Sequence, residues 1–237
     1  MKPWGNMRMF EQGKLKVAII DFGMGNLFSV KQACQRVGLN ALITDRKDEV
    51  LESNGVILPG VGAFGNAMAN LHRLDLVEPL KDFVKSERPV LGICLGMQLL
   101  MSESEEFGIH KGLDIIDGRV VRFHDKTESG QLVKVPQVGW NKISVPGGDR
   151  NDLWSGTPLE GIVNGTYMYF VHSYYAKPED PKVVASVTRY GNLEYCSALR
   201  YKSVFATQFH PERSAIWGIR IYKNWALQVL KQCEIKI

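Results

Sequence analysis

The first half of the chain alternates short apolar runs with longer amphipathic stretches. Leu15-Lys-Val-Ala-Ile-Ile-Asp21, Ala41-Leu-Ile-Thr44 and Gly55-Val-Ile-Leu-Pro-Gly60 are nearly continuous hydrophobic runs, as strands buried on both faces require. Between the first two, Leu27, Val30, Ala33, Cys34 and Val37 recur at helical spacing and stop near Gly38, with Asn26 placed to cap the start. The charged segment from Asp45 to Glu52 predicts a surface helix, and Asn66 to Arg73 and Val77 to Ser86 predict two more. Pro89-Val-Leu-Gly-Ile-Cys94 reads as a further strand, and Leu95, Leu99, Leu100 and Met101 place an apolar face on a helix that starts at once. This alternation predicts an α/β fold with a mostly parallel sheet and crossover helices on both faces. Functional groups in such sheets gather beyond the carboxyl ends of the strands.

From Gly108 the rhythm shortens. Arg119–Phe123, Lys134–Val138, Tyr167–Val171, Val183–Val187, Cys196–Leu199 and Val204–Gln208 are strand candidates separated by Gly, Asn, Asp and Pro. They predict a β-rich C-terminal extension of the same sheet, partly antiparallel. A closing helix from Ile219 to Gln232 carries Ile221, Trp225, Val229 and Leu230 on one face. No repeat, low-complexity tract or linker divides the chain, so residues 15–237 are expected to form one domain after a polar N-terminal extension, 1–14.

Composition narrows the function classes. The 237 residues carry a net charge of +4 with no long Lys/Arg run, which gives nucleic-acid binding little electrostatic support. No apolar stretch approaches membrane-spanning length, and the first residues lack the apolar core of an export signal. The four cysteines form no C-x-x-C pair and fit a reduced, cytoplasmic protein. Gly23 and Gly25 form only G-x-G, too little for a dinucleotide loop, so a close βα turn is the simpler reading.

Gly92-Ile-Cys94-Leu-Gly96 has the spacing of a nucleophile elbow with cysteine in place of serine. Glycines on either side relieve the crowding of a tight strand-to-helix turn. The sulfur then sits at a helix N-terminus, where backbone N–H groups favour a thiolate. The alternative is a buried structural cysteine. A thiolate nucleophile needs a base, and the base an orienting group. Of the five histidines, His72, His110 and His124 lie in exposed or polar surroundings. His210 follows a strand candidate and precedes Pro211 and Glu212, so Glu212 is placed to fix its tautomer. A chance His-Pro-Glu in a surface turn is the competing reading, which the cysteine elbow disfavours.

The elbow together with Gln208-Phe-His-Pro-Glu212 resembles the class I, triad-type glutamine amidotransferases. Ile20-Asp-Phe-Gly-Met-Gly-Asn-Leu27, Leu58-Pro-Gly-Val-Gly-Ala-Phe64, Pro136-Gln-Val-Gly-Trp-Asn141 and Tyr169-Phe-Val-His-Ser-Tyr174 extend the likeness, from Leu15 onward, to the glutaminase subunit of imidazole glycerol phosphate synthase. The resemblance implies a single flavodoxin-like amidotransferase domain acting on L-glutamine with no cofactor or metal. By resemblance Cys94 is the nucleophile, His210 the proton shuttle and Glu212 its orienting carboxylate. Val61 and Leu95 would form the oxyanion hole, the former after a peptide rearrangement in Pro59-Gly-Val-Gly62. Gly60, Gly62, Gln98, Glu106, Ser173 and Tyr174 would hold glutamine. A (β/α)₈ cyclase subunit would be the partner in a heterodimer and receive ammonia, with Met24, Asn26, Trp140 and Arg213 near the interface. For Glu106 a solvated acidic stretch is the competing reading, and for Trp140 a core position.

The family commonly carries lysine where this chain has Arg213, which differs in hydrogen bonding. A paralogous amidotransferase serving surface-polysaccharide sugar synthesis therefore stays open. So do a non-catalytic interaction protein of this fold and a partner-independent peptidase or γ-glutamyl hydrolase.

Overall fold

The computed structural model describes residues 15–126, 130, 132–148 and 153–234. The proposed extension, 1–14, lies outside the described residues. The first half folds as the apolar rhythm predicts: β1 (Lys16–Ile20), α1 (Leu27–Arg36), β2 (Asn40–Thr44), α2 (Lys47–Glu52), β3 (Gly55–Gly60), α3 (Phe64–Arg73), α4 (Val77–Lys85) and β4 (Val90–Cys94). Asn26 does cap α1, its side-chain oxygen accepting from the Ser29 N–H at 3.3 Å.

The second half holds α5 (Leu95–Leu99), β5 (Met101–Ser104), β6 (His110–Lys111), β7 (Ile116–Arg122), β8 (Gln137–Lys142), β9 (Tyr167–His172), β10 (Tyr174–Pro178), β11 (Val184–Tyr190), β12 (Leu193–Tyr201), β13 (Val204–Thr207) and α6 (Ala215–Glu234). The central sheet has seven strands in the order β11-β12-β13-β4-β3-β1-β2. The strands from β13 to β2 are parallel, and β12 and β11 add an antiparallel edge. Successive residues of β1 feed opposite faces. Val17 and Ile19 pack with α1 and α6, while Ala18 and Ile20 pack with α2, α3, α4 and α5. Both faces are therefore covered by helices, which is why β3 and β4 are buried at every position.

Two details depart from the sequence expectation. Only β11, β12 and β13 extend the central sheet; β10-β7-β5-β6 form a second sheet and β8-β9 a third. Alternating side chains define strands but not which edge they join. The helix after Cys94 is also shorter than Leu100 and Met101 suggested, because the segment after it captures its carbonyls. Leu113 N–H donates to Leu99 O at 2.8 Å, and Ile115 and Ile116 N–H both donate to Leu100 O at 3.0 Å. Met101 then starts β5. Among the described residues, no helix is long and apolar enough to cross a membrane.

Candidate active site

Cys94 ends β4 at the carboxyl edge of the sheet, and Gly60 lies beside it in register on β3. Its backbone is at φ 53°, ψ −107°, a conformation side chains rarely adopt. That turn points straight into α5 and works only because its flanks are small. A Cβ on Gly96 would overlap the Leu58 carbonyl oxygen, and one on Gly92 would lie 2.9 Å from Ala206 Cβ. The elbow read from the sequence is present, strain included.

The His-Pro-Glu segment leaves β13, the strand parallel to β4, so it descends beside Cys94. The His210 N–H donates to Tyr169 O at 2.9 Å, and Ser214 Oγ donates to His210 O at 2.7 Å. These bonds clamp a 3₁₀ turn, Pro211–Arg213, against β9. His210 Nδ1 lies 2.8 Å from Glu212 Oε1, with both side chains almost fully buried at 5% and 2% exposure. The ring's Nε2 is buried without a conventional hydrogen bond. Burial works against a charged ring. The charge of the Cys94 sulfur, and then the Glu212 carboxylate, outweigh it and raise His210 from its usual 6.5 to about 10.

The sign of that shift makes a prediction. A folded-state value above 6.5 means that the protonated ring's favourable contacts are present below 6.5 and are lost as pH rises through about 10. Because the Cys94 sulfur supplies much of the rise, Cys94→Ala should move the His210 titration downward. Nitrogen-detected NMR of the imidazole checks this; an unmoved titration would separate the two groups electrostatically.

A cavity of about 270 Å³ opens over the sulfur, lined by Val61, Gly62, Cys94, Leu95, Gln98, Glu106, Val171, His172, Ser173 and Tyr174. It collects both suspected oxyanion residues and five of the six suspected glutamine contacts. Gly60 is the sixth and lies just beneath, packed on Phe22 and Leu95. Gln98 is 5% exposed and donates through Nε2 to Tyr174 O at 2.8 Å and to Gln208 Oε1 at 3.1 Å. Glu106 is not a free acidic surface group: Oε2 accepts from the Phe64 N–H at 2.6 Å, tying the cavity rim to the start of α3.

The suspected interface residues are exposed or half-buried. Trp140 is 52% exposed, with its ring edge-on to Tyr169 at 6.1 Å, and the Arg213 guanidinium lies 4.6 Å from the same Tyr169 ring. Trp140 is thus not a core residue. Met24 sits against Gly62, where a Cβ would strike its Cε.

Two site residues escaped the sequence reading. His172 was counted but given no role. It lines the cavity and is fixed by Tyr174 O at 2.8 Å and Tyr195 Oη at 3.2 Å, and burial pushes it down to about 3, so it is neutral. Gln208 opens the motif that holds His210, where its spacing assigns it no role; its Nε2 lies 3.5 Å from Cys94 Sγ. Among the described residues, no group of three His, Cys, Asp or Glu side chains is placed to hold a metal ion.

The fold and this cysteine–histidine–glutamate cluster define a class, and the model of the family "Glutamine amidotransferase class-I" matches residues 18–228. A crystal structure described as a glutamine amidotransferase shares the fold at TM-score 0.66 and 17% identity, covering 90% of this chain and 98% of that one. The glutaminase domain of Trypanosoma brucei CTPS shares it at TM-score 0.64 and 16% identity, covering 92% of this chain and 94% of that one. Much closer in sequence is the imidazole glycerol phosphate synthase subunit HisH of Syntrophotalea carbinolica, 49% identical over 88% of this chain and 98% of the relative. The subunit of the same name from Geobacter metallireducens is 45% identical over 89% and 97%. The chain therefore belongs to the class I glutamine amidotransferases and, within them, to the family of imidazole glycerol phosphate synthase subunit HisH.

Proposed function

We propose that this chain hydrolyses L-glutamine to glutamate and ammonia through Cys94, His210 and Glu212, and hands the ammonia to a cyclase subunit that makes imidazole glycerol phosphate in histidine biosynthesis. The observation that carries the mechanism is the buried imidazole of His210 at the strand end beside Cys94. Its Nδ1 is 2.8 Å from Glu212 Oε1, its Nε2 is left without a hydrogen bond, and the charge of the Cys94 sulfur favours the protonated ring. Such a ring enters the reaction protonated, ready to give its proton to the leaving nitrogen.

Cys94 Sγ attacks the side-chain carbonyl carbon of glutamine, and the carbonyl electron pair moves onto oxygen. The Leu95 N–H and, once the Pro59–Gly62 peptides rearrange, the Val61 N–H receive that oxyanion. Gly62, at φ +113°, tolerates this change because it has no side chain to clash. Each such donor is worth about 3 kcal/mol in the transition state. The tetrahedral species collapses, the C–N bond breaks, and the nitrogen leaves as ammonia with the proton from His210. Water then attacks the γ-glutamyl thioester, loses its proton to His210, and releases glutamate and the thiolate. Glu212 holds the ring's tautomer throughout. Gly62, Gln98, Glu106, Ser173 and Tyr174, which line the cavity, surround the amino-acid end of the substrate, with Gly60 beneath them.

Ammonia loses nucleophilicity on protonation in water, so the site calls for a covering partner. The aromatic–cation stack of Trp140, Tyr169 and Arg213, with Met24 and Asn26, suits a (β/α)₈ barrel partner in a heterodimer. The reading places the protein in the cytoplasm and treats residues 15–237 as one amidotransferase domain. The named relatives favour it over the sugar-pathway paralogue. The exposed stack also favours a partner-dependent enzyme over a free-standing peptidase.

The test is glutamate release by the isolated chain and by the chain mixed with a cyclase barrel subunit and its nucleotide substrate. We expect negligible turnover alone and a rise of at least about 10²-fold in the complex, the scale of one gained oxyanion donor. Vigorous hydrolysis by the isolated chain, unchanged on mixing, would remove the coupled-synthase reading.

A further inference from the structure

One polar chain joins the wall of the cavity to the sulfur, and its hydrogen-bond directions can be assigned from a single fixed point. The Tyr174 backbone carbonyl can only accept, so the Gln98 atom 2.8 Å from it is the amide nitrogen. That nitrogen's second hydrogen points to the Gln208 side chain at 3.1 Å, so the atom it meets is the Gln208 oxygen. Gln208 must then present its own Nε2 to Cys94 Sγ, at 3.5 Å. Gln208 has no exposed surface, and its backbone N–H is held by Ser197 O at 2.9 Å. Neither solvent nor a loose backbone competes with the side-chain bond.

We propose that Gln208 is a further catalytic residue of this site: its side-chain amide donates a hydrogen bond to the Cys94 sulfur, favouring the thiolate and fixing its direction, while Gln98 and the Tyr174 carbonyl lock the amide's orientation. The inference rests on Cys94 being the nucleophile. An N–H donor stabilises a charged sulfur more than a neutral one, and burial strengthens the difference. A neutral carboxamide is well suited to this position because it supplies a donor without supplying a base. A cationic side chain there would compete with His210 for the sulfur, and a carboxylate would repel it. The chain also couples the two ends of the site, since Gln98 and Tyr174 line the cavity while Gln208 touches the reacting atom.

The experiment compares the wild-type full chain with Gln208→Met, which keeps the length and loses the donor. We expect iodoacetamide to alkylate Cys94 roughly tenfold more slowly, the scale of one hydrogen bond to a charged group. The thiolate's ultraviolet absorbance should fall at neutral pH, and the His210 titration should move downward as its charged partner is depleted. In the cyclase complex kcat should fall with KM nearly unchanged. A merely structural Gln208 would alter the melting temperature and leave the absorbance and the titration in place. Wild-type alkylation and absorbance in a folded Gln208→Met would overturn the proposal. Should that variant not fold, the side-chain amide NMR spectra of wild type and Cys94→Ala decide. Loss of a sulfur-shifted Gln208 amide resonance in Cys94→Ala supports the bond, and identical spectra overturn it. Alkylation tests the sulfur without glutamine. A wild-type Cys94 that resists alkylation therefore defeats the nucleophile assignment itself, a failure distinct from a normal wild type with an unaffected Gln208→Met.

Discussion

Cys94→Ala and Cys94→Gly should each abolish glutamine hydrolysis, with losses of at least about 10⁴-fold, because the covalent route through the thioester disappears with the sulfur. The two variants should nevertheless differ in stability, and the order is set by the backbone. At φ 53° and ψ −107° any residue with a Cβ is strained, and only glycine adopts this geometry readily. Residues held in such regions cost about 1–3 kcal/mol. Glycine gives back part of that gain, about 0.4–1 kcal/mol, through the greater freedom of its unfolded chain. Cys94→Gly is therefore expected to be more stable than Cys94→Ala by about 1 kcal/mol, or about 2–4 °C in melting temperature for a chain of this size. Paired thermal melts and glutamate-release assays on the two proteins check this. If Cys94→Gly is the less stable, the strained elbow is not what the geometry indicates.

Gly96→Ala should be far more damaging to the fold than to any single catalytic contact. The new methyl would overlap the Leu58 carbonyl oxygen, which belongs to β3, an interior strand of the seven-stranded sheet. A backbone oxygen within a sheet cannot swing away as a side chain can, so β3 or α5 must move. We expect a loss of roughly 4 kcal/mol or more, a large share of the stability of an ordinary domain. Gly92→Ala is the control. Its methyl would lie 2.9 Å from Ala206 Cβ and 3.2 Å from backbone atoms of the α5 turn, a smaller overlap than at Gly96 although these atoms too are tied to the backbone. About 1–3 kcal/mol is expected there. Denaturant unfolding of both variants gives the comparison, and equal losses would show that the tight approach of α5 to β3 is not the controlling contact.

The first half of the fold was legible because its buried parallel strands and amphipathic helices write different periods into the sequence. β3 carries the predicted bounds, and β1, α1, β2 and α4 fall within a residue or two of them. The second half was legible as strands but not as sheets. β7 and β9 were located and β8 only at its first two residues, yet all three leave the central sheet, and β5, β6 and β10 were not seen at all. β5 hid inside a continuing helical pattern, Leu99-Leu-Met101, because the bonds that end α5 come from Leu113, Ile115 and Ile116. No local propensity reports a competing backbone donor a dozen residues away. The site shows the same division. Cys94, His210 and Glu212 sit in short motifs whose spacing expresses their chemistry. Glu106 reads locally as one more surface acid, and only its bond to the Phe64 N–H, across 42 residues, gives it a place in the cavity rim.

By itself the sequence determined the layering of the central sheet, the elbow with its two relieving glycines, and the pairing of a ring with a carboxylate two residues on. These are local matters, settled by side-chain period, by backbone sterics and by neighbours along the chain. Only the tertiary structure decided that β13 runs beside β4, and hence that a histidine more than a hundred residues away leaves its strand at the same sheet edge as Cys94. It alone decided that Gln98 and Gln208 link the Tyr174 carbonyl to Cys94. Strand order and the direction of a buried amide depend on which distant partners remain unsatisfied, and that is known only once the chain has closed around them.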